Sequence, residues 1–113
     1  MREFHISDIL SITTGRLVST RHVEGVYEIL NYMTGDNLFT HQLPRASRVC
    51  APHLLRQHPQ LKDVYGGGVT KDNWKEWLKE MTARFGETLS VEPLRHFEHI
   101  DPLKELTMIV DKP

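Results

Sequence analysis

Apolar positions along the 113-residue chain fall into blocks of alternating or helical spacing, separated by glycine, proline and Asx-rich breaks. Arg2 to Ile6 alternates, which predicts a short extended entry with Phe4 and Ile6 inward. Ser7 can cap a brief helix through Ile9, Leu10 and Thr13, and Gly15 can take the left-handed turn that ends it. After a cap at Ser19 or Thr20, the positions Val23, Val26, Tyr27, Leu30 and Met33 recur at helical spacing and predict a second helix with that face buried. Gly25 inside it costs about 1 kcal/mol relative to Ala, so a close neighbour is expected there. Thr34-Gly35-Asp36-Asn37 supplies the stop and turn.

Pro44 suits the first turn of a third helix carrying Ala46, Val49, Cys50 and Leu54. Pro52 interrupts that pattern, which predicts a kink or two short helices, the second running from Pro52 to Gln57. Gly66-Gly67-Gly68 has no side chains to pack and reads as a flexible loop. Thr70 then caps a helix over Lys71 to Phe85, in which Trp74, Trp77, Leu78, Met81 and Phe85 form a stripe read as core, the two Trp alternatively an exposed partner-binding ridge, with Lys71, Lys75, Lys79, Glu76 and Glu80 on the solvent side. Leu89 and Val91 predict a strand that can pair with the Phe4–Ile6 segment. Asp101 caps a terminal helix from Pro102, with Leu103, Leu106 and Ile109 or Val110 buried. The predicted fold is α+β and mostly helical: one domain over residues 1–113, four to five helices and a small two-stranded sheet.

Composition supports folding, with 39% apolar and 26% charged residues. Fourteen basic against fifteen acidic side chains leave a net charge of −1, which gives no global field toward a phosphate backbone. Nucleic acid is therefore disfavoured as a partner. Up to residue 61 every basic side chain is Arg, and Arg forks suit planar recognition of carboxylate, phosphate or aromatic groups. The lone Cys50 has no internal disulfide partner, the start of the chain lacks a secretory signal pattern, and no apolar run approaches the ~20 residues of a membrane span. A cytoplasmic protein with no membrane association is expected.

Seven histidines raise the question of metal, and the densest cluster is His96, His99 and Asp101, with His5 brought near by strand pairing. Asp101 is already needed as a cap, so neither a metal nor another cofactor is expected. Cys50 lies on an apolar stripe, which favours a buried, inert thiol over a nucleophile. Asp36, Asp8, Glu28 and His41 could gather into an acid–base group, although Asp36 and Asn37 also read as ordinary turn residues. Arg45, Arg48 and Arg56 on the helices between Pro44 and Gln57 would be the phosphate contacts of a small DNA-binding regulator.

The strings LSITTGRLVS (10–19), GVYEILNYMTGD (25–36) and FTHQLPRA (39–46), with HIDP (99–102) near the end, resemble a family of small uncharacterised proteins encoded in phage and prophage genomes. The resemblance implies a viral accessory protein in the cytoplasm of a bacterial host. Its expected role is non-enzymatic: a protein-binding module that inhibits a host or defence protein, in the manner of inhibitors of CRISPR effectors, with homodimer formation left open. The residues expected to meet the partner are Asp36, His41, Arg45 and Arg48, supported by Arg21 and His22, because Arg-rich polar loops steer encounter and fix register. The alternatives are a metal-dependent enzyme built on His96, His99 and Asp101, or the DNA-binding regulator.

Overall fold

Helix α1 (Ile6–Thr13) is buried continuously from Ile6 to Ile12, and the other elements are arranged around it. The computed structural model describes residues 1–64, 66–97 and 101–110. Strand β1 (Arg2–His5) feeds α1, followed by α2 (Val23–Thr34), α3 (Leu43–Gln57), α4 (Trp74–Phe85), β2 (Thr88–Val91) and α5 (Pro102–Val110). Short 3-10 turns at Thr40–Gln42 and Pro59–Leu61 flank α3. The expected mostly helical α+β architecture is observed, and the two strands pair antiparallel with Phe4 opposite Leu89 and Arg2 opposite Val91. The Cα radius of gyration is 14.4 Å, close to the ~13 Å of a compact chain near this length.

Core side chains come from every layer around α1: Ile6, Ile9 and Leu10 meet Ile29, Leu30 and Met33 of α2, Ala46, Cys50 and Leu54 of α3, and Leu78 and Met81 of α4. Tyr32 ties α2 to the sheet, packing on Phe4 with ring centroids 5.3 Å apart and donating to the Val91 carbonyl at 3.0 Å. Gly35, at φ 70°, closes α2 in the left-handed conformation that only glycine adopts freely.

Several local expectations are corrected. His5, not Ser7, caps α1: its Nδ1 accepts the Ser7 N–H at 3.1 Å, because Ser7 is drawn into the buried face. Helix α2 starts without a side-chain cap, since Ser19 is occupied by Asp8. Its buried face is Val26, Ile29, Leu30 and Met33, with Val23 exposed and Tyr27 half-buried. Helix α3 is one continuous helix through Pro52. Arg48, Val49 and Pro52 lie on its exposed side, where water can satisfy the carbonyl that proline leaves without a donor. Helix α4 begins at Trp74 rather than Lys71, because Thr70 and Asn73 close a turn first: Asn73 Oδ1 accepts the Thr70 N–H at 2.6 Å and Thr70 Oγ1 accepts the Asn73 N–H at 3.2 Å. Trp74, Trp77 and Phe85 are only partly buried at the edge of the core. Gly66 is not part of a free loop; it is buried against the side chains of Arg16 and Thr14.

Helix α5 is capped as expected, Asp101 Oδ1 accepting from the N–H groups of Leu103 (2.9 Å) and Lys104 (3.2 Å). Its buried face is the opposite of the one expected. Glu105 is 3% exposed, whereas Leu103 is 73% and Leu106 41% exposed. An ion pair from Arg45 Nε to Glu105 Oε1 at 2.8 Å turns the helix this way. The side chains of Ile109 and Val110 lie outside the described residues.

The tightest steric constraint is at Gly25. A Cβ there would overlap both Asp8 Oδ1 and Ser19 Oγ, the two atoms of a buried hydrogen bond. Gly25→Ala is therefore expected to cost about 2–3 kcal/mol, the upper range of overpacking, in urea denaturation. Gly67→Ala, where an added methyl meets nothing within 4 Å, should stay within about 0.5 kcal/mol of wild type.

Candidate functional site

The inner face of α1 carries three buried polar residues, Ser7, Asp8 and Ser11, and all three reach the segment that follows the helix. Ser11 Oγ donates to the Ser7 carbonyl (2.8 Å) and accepts the Val18 N–H (3.0 Å). Ser7 Oγ lies 2.8 Å from His5 Nδ1 and accepts the Thr20 N–H at 3.3 Å. Asp8 is bound on both oxygens: Ser19 Oγ donates to Oδ1 at 2.5 Å, and Arg21 Nη2 to Oδ2 at 2.7 Å. Arg21 also pairs with Glu28, which Arg2 engages from the other side. The hydrogen bond from Arg21 holds the Glu28 carboxyl below its ordinary range, and the two carboxylates raise the Arg21 guanidinium in turn.

This network fixes Arg21 and His22, two of the expected partner contacts. Arg21 closes over a buried carboxylate. His22 takes φ 56° and ψ −138°, the one non-glycine residue at positive φ among those described. That region is sterically open to glycine and strained for any residue with a Cβ. The His22 N–H is held by the Ser19 carbonyl (3.0 Å) and its own carbonyl by the Gly25 N–H (3.2 Å), so both ends of the residue are pinned.

Beside His22 lies a groove of about 750 Å³ between the start of α1, the Thr20–His22 turn and α4. Its lining includes His5, His22, Trp74, Lys75, Leu78 and Lys79. His5 Nδ1 accepts the Ser7 N–H, which assigns the ring proton to Nε2. Lys75 Nζ stands 5.7 Å from the centroid of the Trp74 ring. By its spacing the sequence places Lys75 and Lys79 on the solvent side of this helix and Trp74 in a core stripe or an exposed ridge. Nothing in the spacing along the chain revealed that the Thr20–His22 turn forms the opposite wall.

The other expected contacts lie around α3 and α5. His41 Nε2 is 2.7 Å from the Pro102 carbonyl, and Arg45, with its guanidinium 4.7 Å from the Phe97 ring centroid, pairs with Glu105. Both therefore dock α5. Asp36 Oδ1 accepts the Asn37 N–H at 2.8 Å within its turn. Arg48 is exposed on the outer face of α3. The proposed acid–base grouping does not form: Asp8 and Glu28 face Arg21, while Asp36 and His41 are held at the places just given. An Arg45 substitution therefore strips a buried carboxylate of its counter-ion as well as altering the surface.

Cys50 is fully buried, and desolvation pushes its thiol up to about 12, as suits an inert core residue. His58 Nε2 bonds the Ser90 carbonyl at 2.6 Å, joining α3 to β2. His53 is held below its ordinary value by burial and by Arg56. His96 lines a second cleft of about 490 Å³ with His53, Arg56 and Arg95. Of the expected metal candidates, Asp101 is the α5 cap and His99 lies outside the described residues. Among the described residues no group of three His, Cys, Asp or Glu side chains is placed to hold a metal, and no helix is long and apolar enough to cross a membrane.

The sequence matches the family described as a domain of unknown function, DUF7736, over residues 4–64, more than half of the chain. The chain belongs to the DUF7736 family. No curated protein and no solved structure matches it. The DUF7736 segment takes in α1, α2, α3 and the whole Ser7–Asp8–Ser11–Ser19–Arg21 network. The groove has one wall in that segment, with His5, Thr20 and His22, and the other in α4 outside it.

Replacing His22 by Gly should stabilise the protein by about 1 kcal/mol, since relief of backbone strain of about 1–3 kcal/mol exceeds the added entropy of an unfolded glycine. Thermal melts should show this as a rise of a few degrees. Cys50 should resist alkylation by iodoacetamide at pH 8 in the native protein and react at once in urea; rapid native-state labelling would contradict its burial.

Proposed function

We propose that this DUF7736 chain is a non-enzymatic protein-binding module, a phage-encoded accessory that inhibits or redirects a bacterial host or defence protein in the bacterial cytoplasm. The observation that carries this reading is the orientation of α5, which places Glu105 inside and leaves Leu103 and Leu106 in solvent. Leaving a leucine exposed forgoes about 1.5–3 kcal/mol of burial, a cost that is recovered when a partner covers it. Phe39 (54% exposed) stands beside His41, which bonds Pro102. Val49 follows Arg45 by one turn of α3. The exposed apolar side chains thus lie within a residue or a turn of the contacts that dock α5.

Arg48, exposed next to Val49 on the outer face of α3, gives this apolar region a cation at its border. An apolar centre with a charged border is the usual anatomy of a protein interface, and the border favours an acidic partner. The resemblance of the LSITTGRLVS and FTHQLPRA strings to phage and prophage proteins supports the viral and cytoplasmic parts of the proposal.

The test begins with capture from a bacterial lysate, followed by purification of the captured protein and titration against wild type and Leu103→Ser/Leu106→Ser. The double variant removes no core side chain, so unchanged far-UV circular dichroism is expected together with binding at least tenfold weaker. Arg48→Glu should slow association and flatten its salt dependence. Equal affinity of the purified partner for wild type and the double variant would refute the assignment. So would self-association of the chain that the double variant abolishes, because a second copy would then be the occupant.

A further inference from the structure

The groove beside His22 is separate from the surface just described and has the form of a small-molecule site. Its volume, about 750 Å³, falls within the ~300–1,000 Å³ typical of ligand pockets. Its apolar lining is Trp74, Leu78 and Ala83, and the rest of the lining is polar: His5, Thr20, His22, Lys75, Lys79 and Glu87. We propose that this groove binds a small phosphate monoester carrying a flat ring, the phosphate between the two lysines and the histidines and the ring against Trp74.

The charge balance favours an anion: two lysines face one glutamate. Lys75 and Lys79 are one helical turn apart, so their ammonium groups can close on a single group, and contact with the Trp74 ring holds Lys75 toward the apolar lining. His5 has its Nδ1 engaged by Ser7, which leaves Nε2–H as its free donor. Phosphate is favoured over carboxylate by the type of donor. No arginine lines the groove, and the lysine and histidine donors are single points that can surround a tetrahedral oxyanion, whereas a planar carboxylate is best met by an arginine fork. The Glu87 carboxylate can accept from an amino or hydroxyl group on the organic part of the ligand.

The second line of support is the backbone at His22. A side chain is retained at a φ that glycine would adopt without strain, in the lining of this groove, and the surrounding network pins it there. Strain of this kind persists where the placed side chain has a use. The imidazole of His22 is the group so placed.

The experiment is isothermal titration of the full chain with adenosine 5′-monophosphate, with adenosine and inorganic phosphate as separate arms. One saturable site is expected for the nucleotide, at least tenfold tighter than either fragment. Lys75→Ala/Lys79→Ala removes two exposed side chains and should weaken binding at least tenfold with an unchanged circular dichroism spectrum. His22→Gly should also weaken binding while raising the melting temperature, a combination that a purely structural role for His22 does not produce. Absence of saturable binding up to millimolar nucleotide, equal affinity of either fragment, or full affinity in the double-lysine variant would each overturn the proposal.

Discussion

The carboxylate of Asp8, 1% exposed beneath Arg21, is the constraint on which the rest of the structure turns. Burying a carboxylate is costly unless its charge is met and its oxygens are bound. Ser19 and Arg21 meet these needs, and both come from the segment after α1. That segment must therefore fold back along the helix that contains Asp8. Gly25 follows from the same requirement, since no side chain fits where the Asp8–Ser19 pair touches α2. His22, one residue after Arg21 and one before α2, takes up the geometric mismatch as a strained backbone.

A second buried carboxylate, at the other end of the sequence, is met by an arginine on Oε1, while its Oε2 has no hydrogen-bond partner among the described residues. Glu105 is pulled inward by Arg45, His41 holds the first turn of α5 through the Pro102 carbonyl, and the leucines of α5 face outward as a result. In both places an arginine from the DUF7736 segment neutralises an acid, and in both a feature suited to recognition lies next to the pair. Beside Asp8 it is the groove at His22; beside Glu105 it is the exposed apolar face of α5. Polar pairs of this kind fix geometry more than they add stability, because desolvation offsets most of their attraction.

Much of the fold could be read along the chain because it rests on local periodicity. The helix over residues 23–34, its glycine stop, the proline start of α3, the Asp101 cap and the two short strands, which pair over Arg2–His5 and Thr88–Val91 with Ile6 already in α1, are each written in residues close together or in simple alternation. The errors share a different origin. Pro52 was expected to kink α3 or divide it in two; the division does not occur, because its outward position makes the lost hydrogen bond inexpensive. Leu103 and Leu106 were expected inside, but a partner sixty residues away decided which face of α5 is buried. Asp8 had no local signal of its burial at all, since its partners lie eleven and thirteen residues on.

The candidate contacts divide in the same way. Chemistry alone drew attention to Arg21, His22, His41 and Arg45, and all four occupy positions of consequence, but two dock α5, one neutralises Asp8 and one bears strain. Residue type and spacing by themselves determined the helix-rich class, the short sheet, the turns and the burial of Cys50, because propensity, capping and hydrophobic period act over a few residues. Tertiary structure alone decided which acids went inside, which leucines stayed outside and where a groove opened between the Thr20–His22 turn and α4. Those outcomes depend on charges and surfaces brought together from distant parts of the chain, and pairing over such distances leaves no periodic trace in the sequence.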